Sequence, residues 1–325
     1  MKDLKTRILE NVKDDLAAIE AELRANLNPN LDLVAKVAEH ILFSGGKRLR
    51  PLLMVLAARI CGYTGTYDKT FSTIFEYLHA ATLLHDDLID GAQFRRNQPV
   101  AHSIWGNETA VLVGDFLLAR GLSIAAETEK PKVIKVIANI TENMSQGEID
   151  QLQHKGRLDL TESEYMDVIR RKTAVLFEGA CRISAILADA NEEKENALSS
   201  YGFNLGMAFQ MADDLLDYTH DSKPLGKTVG ADLKEGKLTL PVIYALAAAE
   251  TGDRTVMEKT ITNDFSDEEF KILIELLDKY GGIKYTQTKA AEHIRIAKQA
   301  LAVFDESDTK DILLDVADYA LARKM

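Results

Sequence analysis

The stretch LLHDDLID, Leu83 to Asp90, sets three carboxylates among leucines and an isoleucine, with no lysine or arginine inside it. With Ala80 and Ala81 just upstream, apolar residues surround the acids at helical spacing. The segment is predicted to be a helix that is apolar nearly all round, and hence buried. On such a helix Asp86 and Asp90, four residues apart, share a face. Like charges at that spacing cost a helix about a few tenths of a kcal/mol. A helix alone would avoid this.

The pattern returns at QMADDLLD, where Asp213, Asp214 and Asp217 stand among Met211, Ala212, Leu215 and Leu216. A solvated acidic face is the plain alternative for an isolated pattern of this kind, but the apolar neighbours argue against it at both places. Buried carboxylates demand cations. Neither motif contains a basic residue, so an external hard cation is the natural partner. Magnesium takes one or two carboxylate oxygens, keeps several waters and completes its shell with substrate phosphates. Two such helices facing across a cavity would make a magnesium-diphosphate clamp.

Outside the two motifs almost every segment carries helical spacing, and strand-type alternation is hard to find, so the fold class is predicted to be all-α. Prolines and glycines punctuate it, as at Asn28-Pro29, Gly45-Gly46, Gln98-Pro99 and Gly281-Gly282. No linker, low-complexity tract or fixed-period repeat interrupts the pattern, which makes residues 1–325 one helical domain in expectation. With 46% apolar and 28% charged residues the composition is that of a packed globular protein. The net charge of -12 argues against a nucleic-acid partner and requires any anion site to be local. Cys61 and Cys181 lie in apolar runs far apart, as small core residues of a reducing compartment do. The start, MKDLKTRILENVKDD, lacks the apolar core of a signal peptide, and no apolar run approaches the roughly 18 residues of a membrane span. A cytoplasmic protein is expected, with no transmembrane segment; loose membrane association through a product stays open.

Against this acidic background three basic groups stand out. In GGKRLRPLL, Gly45-Gly46 allow a tight turn, Pro51 suits a first helical turn, and Lys47, Arg48 and Arg50 gather at that helix start, which already favours anions. Arg95-Arg96 follow the first acidic motif, and GKTVGADLKEGKLTLP, with Lys227 and Lys237, follows the second. Taken singly, each also fits a solvated surface patch. Placed beside the acids, they suit two polyanions, one on metal and one on side chains alone.

The combination of GGKRLRP, YLHAATLLHDDLID, RRNQPVAH, KTAVLF, FQMADDLLDY and GKxxGADLKEGKLTLP, spread over residues 40 to 241, resembles the trans-isoprenyl diphosphate synthases, and within them the long-chain polyprenyl synthases. The resemblance implies a single bundle of ten or more helices around a central cavity, with both acidic motifs at its mouth. It implies a prenyltransferase that condenses isopentenyl diphosphate head to tail with an allylic diphosphate, using two or three magnesium ions. By matching motif, Asp86 and Asp90 would ligate magnesium on the allylic diphosphate with Asp87 in support, and Asp213 would take a further ion with Asp214 and Asp217 beside it. Asp86, Asp90, Asp213 and Asp217 are thus the expected metal ligands. Lys47, Arg50, His79 and Arg96 would hold isopentenyl diphosphate. Arg95, Lys172, Thr173, Gln210 and Lys227 would hold the allylic diphosphate, and Lys172 and Lys227 would also stabilise the leaving group. Relatives are homodimers, and the same is expected here.

His79 and His85 equally suit hydrogen-bonded core positions on apolar helices. Ala81 and Thr82 lie five and four residues before Asp86, roughly 6 to 7.5 Å down the helix. Short-chain members of the family carry a bulky aromatic there, and its absence implies a longer product, with octaprenyl as the central length; close helix packing is the plain alternative for Ala81. Three alternatives stay open: a geranylgeranyl or farnesyl diphosphate synthase, a non-catalytic prenyl-binding subunit of a heteromeric synthase, and a class I terpene cyclase. The cyclase would not need the GGKRLRP site.

Overall fold

A computed structural model describes residues 3–219 and 230–322. Lys227, expected at the allylic diphosphate, falls outside the described residues. Helices make up 80% of what is described, and the one sheet among the described residues is the two-stranded antiparallel hairpin Phe94–Arg95 with Gln98–Pro99. The expected fold class, all-α, is the one observed. The chain divides into two compact units, one of residues up to 141 with 176–199 and 301–315, the other of 142–175 and 200–300 with the residues from 316 on.

The first unit is built round the helix Tyr67–Ile89, against which Leu4–Leu27, Leu49–Ile60 and Asn107–Ala126 pack. Phe71, Ile74, Phe75, Tyr77, Leu78 and Ala81 are fully buried along it. The all-round apolar pattern is thus met by neighbours on several sides. Tyr77 carries one polar atom into this core and donates it to the Leu23 carbonyl at 2.7 Å, which removes the cost of burying a hydroxyl. The contact with Asn107–Ala126 is the closest. A Cβ at Gly114 would stand 2.2 Å from His85 Nε2, and one at Gly121 would lie 3.7 Å from Leu78.

Asn107–Ala126 also departs from the expectation about apolar runs. It is 20 residues long and, by length and composition only, apolar enough to cross a membrane, a test that a buried core helix passes equally. Only two charges, Asp115 and Arg120, fall in its last 18 residues. Part of this apolar surface has a local use: Val113, Gly114, Leu117, Gly121 and Ile124 are buried in the unit, while Val111, Leu112 and Leu122 are exposed.

In the second unit, Thr161 and Glu164 form a reciprocal capping box that starts the helix Glu162–Ile169. The chain then makes one π-helical turn, Arg170–Ala174, before helical geometry resumes. Ser266 and Glu269 repeat the capping box for Asp267–Lys279. Leu240–Ala248 and Gly282–Ala300 touch through Gly282, where a Cβ would fall 2.1 Å from the Pro241 carbonyl oxygen. Tyr244 and Tyr285 stack beside that crossing with centroids 4.0 Å apart.

Candidate active site

In the first unit the acidic motif occupies the end of its helix. Asp90 is the C-terminal cap, and its N–H bonds the Asp86 carbonyl at 2.8 Å. Asp86 and Asp90 therefore share a face as expected, but they do so where the helix dipole places its negative end, which adds to the repulsion between them. A cation is the group that relieves both. Asp87, 3% exposed, is turned inward. Its carboxylate accepts Arg95 Nε at 2.9 Å and Nη2 at 2.7 Å. No cation lies inside the motif, yet one returns from eight residues on, because the chain reverses through Arg96 and Asn97, both at positive φ as a tight two-residue hairpin turn requires. Arg95, assigned by the resemblance to the allylic diphosphate, thus holds Asp87.

Beside this pair lies a concentration of positive charge. Arg96 donates to the Gly45 carbonyl, tying the hairpin to the Gly45-Gly46 turn. Lys47 is exposed on that turn, and the Arg50 guanidinium sits 4.7 Å over the Phe177 ring. Arg48 behaves differently from its two neighbours, being buried and bonded to Glu76, Glu20 and the Leu42 carbonyl. His79 faces the other arginines. Burial first, then the charges of Arg50, Arg95, Arg96 and Arg48, hold its imidazole well below the usual histidine range, so it is neutral at physiological pH. A buried, neutral imidazole with four arginine charges about it marks a place suited to an anion.

Ala81 and Thr82 separate on inspection. Ala81 is fully buried and, by helical spacing, belongs to the stripe with Leu78 and His85, the side chains that meet Gly121 and Gly114. Thr82 is half-buried on the stripe of Asp86, and its hydroxyl donates to the His79 carbonyl at 2.9 Å. Close packing is thus served by Ala81, and the line running down from Asp86 by Thr82.

In the second unit the other motif lies in the last turns of the helix Glu192–Thr219, again at the negative end of a dipole. Asp213 and Asp217 are half-buried and Asp214 is buried. Asp217 accepts the backbone N–H groups of Ala231 at 3.2 Å and Asp232 at 3.1 Å. Asp214 accepts the Tyr165 hydroxyl at 2.6 Å and the Gln210 amide at 2.7 Å. Burial nevertheless pushes Asp214 up to about 7, with Asp213 and Asp217 adding to the rise and the two hydrogen bonds opposing it. Burial, with Asp214 and Asp217 near, also raises Asp232 well above the carboxylate range. Carboxyl groups packed this closely, two of them held toward the protonated form by burial and by one another, would give up those protons most readily to a bound cation.

The π-turn supplies the cations and hydroxyl on this side. Lys172 Nζ pairs with Glu148 and donates to Gln151 Oε1 at 2.8 Å, and Thr173 donates to Gln210 Oε1 at 2.7 Å. Gly147 lets the turn approach, since a Cβ there would be 2.8 Å from Arg171 Cβ and 3.0 Å from the Lys172 nitrogen. Lys172, Thr173, Gln210 and Asp214 line a cavity of about 150 Å³, together with Tyr165, His154, Asp232 and Lys237. Tyr165, Glu148, Gln151 and Asp232 were not picked out from sequence; only the capping signature before Tyr165 could have drawn attention to it.

The donor set fits magnesium. Its members are carboxylate oxygens at helix C-termini, the hard ligands such an ion prefers. Among the described residues no group of three or more His, Cys, Asp or Glu is placed to hold a metal ion by itself.

A helical chain with two aspartate motifs and basic groups beside them is a prenyltransferase in class. Its residues 31–277 match the polyprenyl synthetase family, to which the chain belongs. It is 37% identical over 317 residues to octaprenyl diphosphate synthase of Escherichia coli (strain K12), covering 98% of each chain. The decaprenyl diphosphate synthase of Rhodobacter capsulatus has a crystal structure matched with a TM-score of 0.91 at 37% identity, over 98% of both chains. A polyprenyl synthase from Caulobacter crescentus CB15, crystallised with calcium and isoprenyl diphosphate, matches at 0.92 and 36% identity over 99% of this chain and 98% of that one.

Proposed function

We propose that the chain catalyses the magnesium-dependent, repeated head-to-tail condensation of isopentenyl diphosphate onto an allylic diphosphate, giving a long all-trans polyprenyl diphosphate with octaprenyl as the central length. The observation that carries this is the arrangement in the first unit: Asp86 and Asp90 at a helix end, with Arg95 on Asp87 and arginine charges crowding a neutral His79. Carboxylates for a metal and cations for phosphates lie in one small region.

In each round the allylic C–O bond breaks and its electrons leave with diphosphate. The double bond of isopentenyl diphosphate attacks the resulting carbocation, and the released diphosphate takes the proton that is then lost. No nucleophilic side chain is needed, and the demand on the protein is stabilisation of charge on the leaving group. Asp86 and Asp90 at the first motif, and Asp213 with Asp217 in support at the second, would hold magnesium, which when bound would supply that charge. Lys172, oriented by Glu148 and Gln151, adds a point charge for the allylic diphosphate. Arg96, Lys47 and Arg50 supply charge for isopentenyl diphosphate, and His79, being neutral, offers it a hydrogen bond. Thr82, small and on the line of Asp86, leaves room for a lengthening chain.

Incubating the purified protein with magnesium, isopentenyl diphosphate and farnesyl diphosphate, then sizing the dephosphorylated products by mass, tests the reading. A single polyprenol well beyond geranylgeraniol is expected. No elongation refutes the enzyme, and arrest at geranylgeraniol refutes the long-chain assignment.

The reading includes a homodimer working in the cytoplasm. The dimer is supported by the apolar outer face of Asn107–Ala126, where Leu112 is 66% exposed and Leu122 42% exposed, a face that association would cover. Leu112→Glu is expected to convert a dimer to a monomer by light scattering, and an unchanged mass would count against this face. The compartment is supported by Cys61 and Cys181, both free thiols, whose burial pushes Cys61 up to about 11 and Cys181 higher, so that neither is reactive.

A further inference from the structure

We infer that Tyr165 is a positioning residue for the second aspartate motif, a role that rests on the function proposed above and extends it. Asp214 is buried, and both of its oxygens are taken by side chains, Oδ2 by the Tyr165 hydroxyl at 2.6 Å and Oδ1 by the Gln210 amide at 2.7 Å. Gln210 is in turn fixed from its other side by Thr173 at 2.7 Å. Tyr165 lies on Glu162–Ile169, and Thr173 lies on the π-turn that directly follows it. Three hydrogen bonds therefore close a ring between one continuous segment and two residues, Gln210 and Asp214, one turn apart on Glu192–Thr219.

A ring of this kind fixes rotation. Asp213 precedes Asp214 by one residue and so stands about 100° round the helix from it. Holding Asp214 inward sets the direction in which Asp213 is presented, and Asp217, one turn beyond Asp213, shares its face. The same ring holds the π-turn, and with it Lys172, to the motif. The Tyr165 ring is 4% exposed and its segment begins at a reciprocal capping box, so the hydroxyl starts from a rigid base. Packing alone would be served as well by phenylalanine. The hydroxyl is what reaches the carboxylate.

Tyr165→Phe in the full chain keeps the ring and removes that donor. Elongation velocity at saturating isopentenyl and farnesyl diphosphates, measured against magnesium concentration, is expected to need about tenfold more metal for half-maximal rate, the upper end of what one ordinary hydrogen bond contributes. Turnover should recover at high magnesium, and the KM for isopentenyl diphosphate and the melting temperature should stay near wild type. In an Asp214→Asn background the same change should add nothing further, and Asp214→Asn alone should raise the magnesium requirement, which keeps the idea exposed if Tyr165→Phe folds poorly. An unchanged magnesium requirement in Tyr165→Phe, or in Asp214→Asn, overturns the inference while leaving the synthase reading intact. A wild-type protein that elongates nothing, or elongates without metal, overturns that reading and this inference with it.

Discussion

Asp86→Ala is expected to lower turnover about a thousandfold or more while leaving the fold as stable as before. The two halves of that expectation come from the same geometry. Asp86 and Asp90 repel each other across one helical turn, at the end of the helix where the dipole is already negative. Removing one of them relieves the folded protein slightly, by about a few tenths of a kcal/mol. Catalysis loses instead. The diphosphate gathers negative charge only as the allylic C–O bond breaks, so a metal ligand contributes most in the transition state, and losing one preorganised electrostatic partner costs about a hundred- to a thousandfold in rate. Loss of the ion's position adds to this. Steady-state rates with a magnesium titration, beside thermal melts of the same samples, check both halves. A variant within tenfold of wild type would refute the ligand assignment, and one that had also lost several degrees of melting temperature would assign Asp86 to the fold.

That the two motifs stand on helices was legible because helical spacing is local: four residues place Asp86 over Asp90 and Asp213 over Asp217 whatever the rest of the chain does. Partners were less legible. The pairing of Asp87 with Arg95 depends on a hairpin turning at Arg96 and Asn97, which lacks the Asn-Gly or Asp-Gly signal of such turns. Tyr165 meets Asp214 across 49 residues, and nothing in either neighbourhood announces the other. The π-turn at Arg170–Ala174 is one residue wider than the helix on either side, a departure that periodicity averages away. In unit after unit the residue types that chemistry needs were readable, and the contacts that orient them were not.

The GGKRLRP group shows the same limit inside seven residues, and it yields the largest expected effect on stability. By residue type and spacing Lys47, Arg48 and Arg50 are three like cations at one helix start, and only the resemblance leaves Arg48 out of the isopentenyl diphosphate site. In the structure Arg48 is 5% exposed, with φ +49, and its guanidinium serves three acceptors: Nη1 reaches Glu76 Oε1 at 2.7 Å, Nε reaches Glu20, and Nη2 reaches the Leu42 carbonyl. Glu76 lies in the core of the first unit, 8% exposed. Arg48→Ala would leave that carboxylate buried without its cation, which costs about 3–5 kcal/mol, and equilibrium unfolding in urea should show it. Lysine is no substitute, because one ammonium cannot point along three directions that a planar fork meets at once. Arg48→Met with Glu76→Leu should recover most of the loss, since replacing both members of a buried pair by apolar groups of similar size is often neutral or stabilising. A loss below about 1 kcal/mol in Arg48→Ala, the range of an exposed ion pair, would mean that the pair is solvated and that Arg48 is available to substrate. The predicted outcome instead assigns Arg48 to the turn that carries Lys47 and starts the helix bearing Arg50, so any activity it costs should follow the unfolded fraction.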